Sequence, residues 1–391
     1  MNLGDTMKTI EDVNLNNKKV VVRCDFNVPI KNGVIEDNTK IVRSLKTIKY
    51  LIDHNCRVVL LSHLGRITVE EDKAENTLLP VRNELEQLLG MPVTFVSDYS
   101  NPELDKSARV ILLENTRYTD IPKRTESDND PNLAKMYAKF GDIFVFDAFG
   151  SAHRRHSSTS GLVALLPTYI GYLVQEELNN LNKVVNHENP FAVVMGGAKV
   201  DDKLPIIKNL LPSCDYLLLG GGIANSFLKA QGYNIGKSLA TKDEKILVDL
   251  RCLIELYKDK IFLPTDVIVL NNGNIYEKNI DSLSDDDCIY DIGSKTANKY
   301  SSIIKSSKTV FANGTVGLCE DDRFKLGQTK LFEAMQKTPN VVIGGGDTVS
   351  ATRNLGFEED FTLSSGGGAS LEYLANGSLP VLDDIQRVRH L

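Results

Sequence analysis

Residues 191–200 read FAVVMGGAKV, in which an apolar run from Phe191 to Met195 leads directly into two glycines. An uninterrupted apolar run of this length predicts a strand that is buried on both faces, and such strands occupy the interior of parallel sheets. The glycines end the strand and open the connection to a helix. This stretch therefore predicts an α/β fold, in which strands alternate with helices that cover a parallel sheet on both sides.

The same succession of apolar run, turn and helical segment recurs along the chain. In the first half, strands are predicted over 20–23, 57–62, 110–113 and 142–146. In the second half, besides 191–195, they are predicted over 216–219, 261–263, 309–311 and 341–343. Because 391 residues exceed what one hydrophobic core usually serves, the two sets predict two Rossmann-like domains, each a parallel sheet flanked by helices.

A segment between the two sets has helical periodicity and connects the predicted domains. Over 162–185, apolar side chains recur at helical spacing, and Pro167 stands near the first turn. We predict an N-terminal domain over 1–166, an interdomain helix with a hinge over 167–186, and a C-terminal domain over 187–374. From the pattern alone, a helix that lies wholly within one domain fits equally well.

Composition and charge narrow the class of protein. A net charge of -7 argues against non-specific binding to nucleic acid or to an anionic membrane surface. The six cysteines lie far apart and form no CxxC pair, which favours reduced thiols over a disulfide framework or a zinc site. Neither a signal peptide nor a membrane-spanning stretch is recognisable, so we expect a cytoplasmic protein.

Basic side chains follow the predicted strands of the first half. Ligands of parallel sheets bind beyond the carboxyl ends of the strands, where these side chains are expected to meet. They are Arg23, His63, Arg66, Arg117 and Arg154, with Asp25 and Asn27 following Arg23. Any one of these arginines taken alone is explained equally well by a surface ion pair, and His63 by a structural role. Their joint placement in an acidic chain predicts a pocket for a small, highly charged anion.

The strands of the second half run into glycine-rich turns at 196–197, 220–222, 313–314, 344–346 and 366–368. Glycines let backbone N–H groups approach phosphate oxygens, and a following helix adds its positive end, so these turns suit a polyphosphate. Lys199 and Lys203 either share a helix face toward a phosphate or are solvated. Asp347 either caps a helix or faces a magnesium ion. The glycine pattern lacks the third glycine of a dinucleotide fingerprint, so a nicotinamide dehydrogenase is disfavoured.

Nine blocks of the sequence resemble those of the phosphoglycerate kinase family, in the family's order and with compatible spacing. They are RCDFNVP at 23–29, SHLGR at 62–66, LLENTR at 112–117, DAFGSAHR at 147–154, GGAKV at 196–200, GGGIANSFLKAQG at 220–232, NGTVGLCE at 313–320, GGGDT at 344–348 and SSGGGASLEYL at 364–374. The likeness covers nearly the whole chain, although any single glycine block is a weak signal.

The resemblance implies a glycolytic enzyme that reversibly transfers a phosphoryl group from 1,3-bisphosphoglycerate to MgADP, giving 3-phosphoglycerate and MgATP. It implies direct in-line transfer on hinge closure, a monomer, a Mg²⁺ cofactor, and a C-terminal tail over 375–391 that packs on the N-terminal domain. The nucleophile is already an anion, so no general base is needed, and catalysis must come from positioning and charge stabilisation.

The resemblance also implies residue roles. The substrate-binding residues are Arg23, Asp25, Asn27, Lys40, His63, Arg66, Arg117 and Arg154. The nucleotide-binding residues are Lys203, Gly220, Gly221, Asn313, Glu320, Gly345, Gly346, Asp347 and Thr348. The magnesium ligand is Asp347, and the catalytic residues are Lys40, Lys199, Gly346 and Gly368.

The chain departs from the family pattern at Lys40, where the family normally has a catalytic arginine. Lysine keeps the charge but lacks the planar fork of donors, which predicts an active but slower enzyme unless Arg43 substitutes. Thr315 and Val316 replace a proline-containing pair in the nucleotide loop, and Ala312 stands where tryptophan is common. These changes leave open a second function, in which a homologue keeps nucleotide binding but serves as an interaction protein.

Overall fold

The computed structural model describes residues 7–98 and 104–388, which divide into two compact units. Within the described residues, unit 1 extends to Asn179 and takes in the chain again from Ser378, whereas unit 2 comprises Asn180–Gly377. None of the helices within these described ranges has the length and apolar character needed to cross a membrane.

Unit 1 is built on a six-stranded parallel sheet. The strands of unit 1 are β1 (Lys19–Cys24), β2 (Ile30–Lys31), β3 (Val34–Ile35), β4 (Arg57–Leu61), β5 (Thr94–Val96), β6 (Val110–Leu113), β7 (Ile143–Asp147) and β8 (Thr168–Ile170). The short β2 and β3 form a separate antiparallel pair, and the other six lie in the order β5-β6-β4-β1-β7-β8. The helices are α1 (Thr39–Asp53), α2 (Asp72–Glu75), α3 (Leu79–Leu89), α4 (Pro131–Ala138) and α5 (Tyr172–Val185).

Helix α1 shows how the helices of this unit cover the sheet. Asp37 accepts a hydrogen bond from the Thr39 N–H at 2.8 Å and so satisfies a free donor at the start of the helix. The apolar Ile41 and Ile48 recur at helical spacing and are wholly buried. They belong to one hydrophobic cluster with the alternate residues of the central strand β1. The strand thereby presents its carboxyl end to the loops that carry the candidate site.

Unit 2 contains a second parallel sheet and a small antiparallel one. Its strands are β9 (Phe191–Met195), β10 (Tyr216–Leu219), β11 (Ile261–Phe262), β12 (Asp266–Asn271), β13 (Asn274–Asn279), β14 (Cys288–Ile292), β15 (Thr309–Asn313), β16 (Asn340–Gly344) and β17 (Thr362–Ser364). The parallel sheet has the order β11-β10-β9-β15-β16-β17. The helices are α6 (Leu204–Leu210), α7 (Gly221–Ala230), α8 (Glu244–Leu256), α9 (Ser294–Ser306), α10 (Leu326–Met335), α11 (Gly346–Asn354) and α12 (Gly368–Asn376). Two parallel sheets flanked by helices confirm the predicted fold class.

The antiparallel sheet, of order β13-β12-β14, was not expected from the apolar runs. Asn272 and Gly273 join β12 to β13 with φ values of +46° and +84°, the left-handed conformation that two-residue hairpin turns require. Most of β13 is exposed, and the buried apolar contacts of β12 come from Val267 and Val269. A sheet that buries so few side chains leaves little apolar signal in the sequence, although the Asn-Gly pair is a hairpin signal.

The helix predicted over 162–185 begins only at Tyr172, which corrects that prediction. Thr168–Ile170 forms the edge strand β8 instead and pairs in parallel with β7. The Asp147 carboxylate at the end of β7 accepts hydrogen bonds from the N–H groups of Leu173 and Val174, at 2.9 and 3.3 Å. The helix therefore starts where a buried carboxylate satisfies its free donors. The boundary between the units, after Asn179, falls within α5.

The last described helix, α13 (Pro380–Val388), belongs to unit 1. It buries Val381, Leu382 and Ile385. The Val381 N–H donates to the carbonyl of Ala152 at 3.0 Å. An ion pair of 2.8 Å between Arg155 and Asp384 adds a polar contact to the same side of the unit.

Replacement of Asp147 by asparagine is expected to change how stability depends on pH. Burial raises the pKa of this carboxyl from 3.8 to about 6. Because the folded protein holds this proton more tightly than the unfolded chain does, the raised pKa stabilises the folded state by up to about 3 kcal/mol at a pH below the pKa of the unfolded chain. That contribution is lost as the pH rises through the pKa of the folded protein. Asp147→Asn keeps an acceptor oxygen but does not titrate. In urea unfolding, the variant should gain stability relative to wild type between about pH 4 and about pH 7.

A matched control for this experiment is Asp128→Asn, because the Asp128 side chain is 62% exposed and its ion pair with Arg124 lies at the surface. It should leave the pH dependence of unfolding near that of wild type. An Asp147→Asn protein whose unfolding free energy follows the wild-type pH curve would contradict the prediction.

Candidate active site

A cavity of about 300 Å³ opens at the carboxyl ends of the unit 1 strands. It is lined by Asn27, His63, Gly65, Arg66, Arg117, Gly150, Ser151, His153, Arg154 and His156. We call it the arginine cavity. Three guanidinium groups and no acidic side chain contribute to this lining, so its electrostatic character favours an anion.

Short backbone contacts orient the side chains of the arginine cavity. The Arg117 guanidinium donates to the carbonyl of Gly65, and the Gly65 N–H donates to Asn27 Oδ1 at 2.9 Å. Gly65 has a φ of +60°, and a Cβ there would lie 1.9 Å from Asn76 Oδ1. Burial lowers the pKa of Arg117, and the positive charges of Arg23 and Arg154 lower it further. This crowding of like charge is what a bound anion would relieve.

Three histidines contribute to the same lining and are uncharged at neutral pH. Burial, followed by the charge of Arg23, lowers the pKa of His156 to about 3 and that of His63 well below its ordinary value. Burial and Arg154 likewise lower the pKa of His153. Within residues 7–98 and 104–388, no group of three or more His, Cys, Asp or Glu side chains can hold a metal ion. His153 and His156 also line the cavity and were not predicted from the sequence.

Three predicted substrate-binding residues do not line the arginine cavity. Arg23 is wholly buried and forms an ion pair of 3.4 Å with Glu126. Lys40 Nζ lies 3.0 Å from Asp25 Oδ2, and the Lys40 side chain is 32% exposed. The residues that the structure brings together in the cavity are therefore Asn27, His63, Arg66, Arg117 and Arg154.

Arg43, the residue considered as a substitute for the family arginine, has a different role. It pairs with the buried Glu177 at 2.7 Å and with Glu176 at 3.5 Å. Both carboxylates belong to the first turns of α5, so the guanidinium ties α1 to α5. A side chain engaged in this way does not replace an arginine at position 40.

A second cavity, of about 260 Å³, lies in unit 2 where three glycine turns meet. It is lined by Gly196, Gly197, Ala198, Lys199, Asp202, Lys203, Asn313, Gly314, Gly345, Gly346, Asp347 and Thr348. We call it the glycine cavity. Asp202 was absent from the sequence prediction, because the loop conformation and not a strand end brings it here.

Backbone hydrogen bonds connect the turns around the glycine cavity. The Gly197 N–H donates to the Thr315 carbonyl at 2.9 Å, and the Gly221 N–H donates to the Val316 carbonyl at 3.1 Å. The Gly314 N–H donates to the Thr348 hydroxyl at 2.6 Å, which leaves the hydroxyl proton for a ligand. A Cβ at Gly196 would lie 2.2 Å from the Thr315 carbonyl oxygen. Close packing of main chain therefore requires glycine at this turn.

Charged groups of both signs line the glycine cavity. The Lys203 ammonium contacts Asn313 Oδ1. Burial lowers the pKa of Lys203, and the charges of Asp347 and Asp202 oppose this shift. Magnesium in phosphotransferases is usually held by one or two carboxylates together with substrate phosphates. The two carboxylates fit that donor set.

A third cavity, of about 380 Å³, shares Gly197, Ala198 and Asp347 with the glycine cavity. We call it the apolar cavity, since Leu239, Ile289, Tyr290 and Leu318 contribute to its lining beside Gly221 and Glu320. Lys237 also lines it and was not predicted from the sequence. Of the other predicted residues, Gly220 packs against Val316, and neither Gly220 nor Gly368 lines any of the three cavities.

A family model described as phosphoglycerate kinase matches residues 10–377. The chain belongs to the phosphoglycerate kinase family. A curated phosphoglycerate kinase of Enterococcus faecalis is 43% identical over 97% of this chain and 98% of its own length. The solved phosphoglycerate kinase of Coxiella burnetii is 36% identical, with a TM-score of 0.88 over 97% of this chain and 99% of that one. The solved phosphoglycerate kinase of Pyrococcus horikoshii is 30% identical, with a TM-score of 0.84 over 98% of this chain and 100% of that one.

Membership of the phosphoglycerate kinase family confirms the predicted enzyme class and reaction. The activity is EC 2.7.2.3, the reversible transfer of a phosphoryl group between 1,3-bisphosphoglycerate and ADP in glycolysis. The substrates are therefore small molecules, and the nucleotide is ADP or ATP.

Proposed function

We propose that the arginine cavity binds 3-phosphoglycerate or 1,3-bisphosphoglycerate. The observation that carries this proposal is a lining with Arg66, Arg117 and Arg154 and without an acidic side chain. A guanidinium offers a rigid fork of donors that matches phosphate and carboxylate oxygens, and the substrate carries both groups. The neutral histidines add hydrogen-bond donors without further crowding of positive charge.

The magnesium complex of ADP or ATP is assigned to the glycine and apolar cavities. Backbone N–H groups and Lys203 surround the space for the phosphates, and Asp347 with Asp202 would hold the magnesium ion. Glu320 would accept hydrogen bonds from ribose hydroxyls, and the apolar side chains would cover the base. Bound magnesium would neutralise charge on the phosphate oxygens.

The reaction asks the protein for placement and charge stabilisation. In the direction of ATP synthesis, an ADP phosphate oxygen forms a bond to phosphorus as the bond to the glycerate carboxylate breaks. The attacking oxygen is an anion in either direction, an ADP phosphate oxygen in one and a glycerate carboxylate oxygen in the other. No side chain therefore needs to remove a proton. Lys199 lines the glycine cavity and is exposed, so it is free to follow the charge on the equatorial oxygens. The catalytic roles of Lys40, Gly346 and Gly368, the hinge closure, the monomeric state and the cytoplasmic location remain predictions.

Separate binding measurements test the assignment of the two substrates. Arg66→Met should abolish calorimetric binding of 3-phosphoglycerate and leave MgADP binding unchanged. Asp347→Asn should weaken MgADP binding and leave 3-phosphoglycerate binding unchanged. A coupled assay with 3-phosphoglycerate and MgATP should detect turnover in the wild-type protein. Unaltered binding of 3-phosphoglycerate to Arg66→Met would refute the substrate assignment, and binding of both ligands without turnover would instead support an interaction protein.

Lys40→Arg is expected to raise kcat by about three- to tenfold. Arginine restores several donors where lysine has one point charge, and a single well-placed donor is typically worth more than this factor. The Asp25 carboxylate, 3.0 Å from Lys40 Nζ, can orient either side chain. Steady-state kinetics provide the measurement, and Lys49→Arg is the matched control because Lys49 is exposed on the same helix. A kcat equal to or below that of the wild type would count against the prediction.

A further inference from the structure

Side chains from separate segments surround Arg23 in the interior of unit 1. One terminal nitrogen, Nη1, donates to Thr116 Oγ1 at 3.1 Å and to Ser158 Oγ at 2.5 Å. The Glu126 carboxylate lies 3.4 Å from the same nitrogen, and the Ser158 N–H donates to that carboxylate at 3.1 Å. Arg23 and Glu126 are both wholly buried. The guanidinium is thus fixed by protein groups, as expected of a buried ion pair.

The other terminal nitrogen of Arg23 determines the chemistry of His63. Nη2 lies 3.0 Å from His63 Nδ1. A guanidinium has donors and no acceptor, so Nδ1 must accept this hydrogen bond. The proton of the neutral ring then resides on Nε2. Because His63 lines the arginine cavity, that N–H is the donor it can offer to a ligand there.

We propose that Arg23 is a positioning residue and not a substrate ligand: it holds His63 as the Nε2–H tautomer, and Glu126 holds Arg23 in place. The arginines that line the cavity would supply charge to the anion, whereas His63 would supply one directed hydrogen bond. The proposal rests on the proposed function only where it takes the ligand to be 3-phosphoglycerate.

The charged surroundings of His63 support a ring that stays neutral. Burial lowers the pKa of His63 well below its ordinary value, and the positive charges of Arg23, Arg117 and Lys40 and the ring of His156 lower it further. The hydrogen bond offered to the ligand is then the same across the physiological pH range.

Nitrogen NMR of the ligand-free protein with ¹⁵N-labelled histidine rings tests the tautomer directly, with His63→Gln to assign the signal. We expect a protonated Nε2 and an unprotonated Nδ1 for His63, without titration between about pH 5.5 and about pH 8. In the double variant Arg23→Met/Glu126→Gln, which removes the buried charges together, the pKa of His63 should rise, although burial still holds it below its ordinary value, and Nδ1 should no longer be fixed as a hydrogen-bond acceptor. A wild-type ring protonated at Nδ1 would overturn the proposal.

Binding measurements separate positioning from direct contact. The double variant should bind 3-phosphoglycerate about tenfold more weakly, because His63 no longer presents a fixed Nε2–H donor. The comparison variant Arg117→Met should weaken binding but leave the His63 tautomer unchanged. Wild-type affinity in a double variant with altered His63 titration would refute the positioning role. If the double variant does not fold, Ser158→Ala removes one Arg23 contact, and the wild-type spectrum still decides the tautomer.

The two proposals fail in different ways. The expected tautomer in a wild-type protein that does not bind 3-phosphoglycerate would overturn the substrate assignment and leave the Arg23–His63 arrangement standing. Tight binding of 3-phosphoglycerate by a protein with the opposite His63 tautomer would support the substrate assignment and overturn the proposed role of Arg23.

Discussion

Arg117→Met is expected to raise the KM for 3-phosphoglycerate about a hundredfold, with the KM for MgATP little changed. Arg117 lines the arginine cavity, and its guanidinium is oriented by the Gly65 carbonyl. A hydrogen bond between charged groups contributes about 1.5 to 3 kcal/mol, and a two-pronged contact with phosphate is lost as a whole. About 3 kcal/mol corresponds to a factor of about a hundred in affinity.

Two further variants make the Arg117 experiment specific. Arg117→Lys keeps the charge but loses the fork, so an increase of about tenfold in KM is expected. Arg124→Met removes an arginine that is 68% exposed and paired with Asp128, and it should behave as wild type. Similar KM values for Arg117→Met and Arg124→Met would place the anion elsewhere.

Lys199→Met is expected to lower kcat about 10²- to 10³-fold and to change both KM values much less. Lys199 lines the glycine cavity, as does Asp347, and its exposed side chain would let its charge approach the phosphoryl group during transfer. Charge that develops only in the transition state is felt in kcat and not in ground-state binding. Pre-steady-state transfer in a rapid-quench experiment would show whether the chemical step itself is slowed.

Lys208→Met is the matched control for Lys199→Met. Lys208 lies on α6 in the same unit, pairs with Asp249 at 2.7 Å, and has a side chain that is 44% exposed. It should retain wild-type kcat. If Lys199→Met raised KM for the nucleotide and left kcat unchanged, Lys199 would be a binding residue and not a catalytic one.

The strands that sequence reasoning predicted are those whose apolar runs are buried on both faces. β6, β9 and β10 have the predicted bounds. Short edge strands such as β5, β8 and β17 were missed, because a partly buried strand of three residues has no distinctive pattern. Missing β8 also placed the predicted start of α5 too early, because the residues of Thr168–Ile170 fit the helical repeat. In the structure they pair with β7 instead.

Apolar patterns also do not define where a strand ends, which explains why only some of the predicted site residues line the arginine cavity. Arg66, Arg117 and Arg154 lie in loops beyond the strands, and the structure brings them into one cavity. Arg23 belongs to β1 itself, where the covered sheet buries its side chain. The sequence shows that an arginine lies near the end of a strand. It does not show whether the residue still belongs to the buried strand or already to the loop where a ligand can reach it. Likewise, Asp202 reaches the glycine cavity through a loop conformation that no spacing rule specifies.

The main-chain hydrogen bonds between the turns of the glycine cavity have consequences for how this chain can evolve. Neighbouring turns contact Thr315 and Val316 through carbonyl oxygens, which every amino acid possesses. Exchange of the family's proline-containing pair at these positions therefore leaves the same acceptors in place. At Gly196 even one added methyl group meets a carbonyl oxygen at 2.2 Å. The side chain at Thr315 can therefore be exchanged without loss of the main-chain contact, whereas Gly196 accepts no side chain at all. At Val316 the exchange is limited to side chains that fit the buried space beside Gly220.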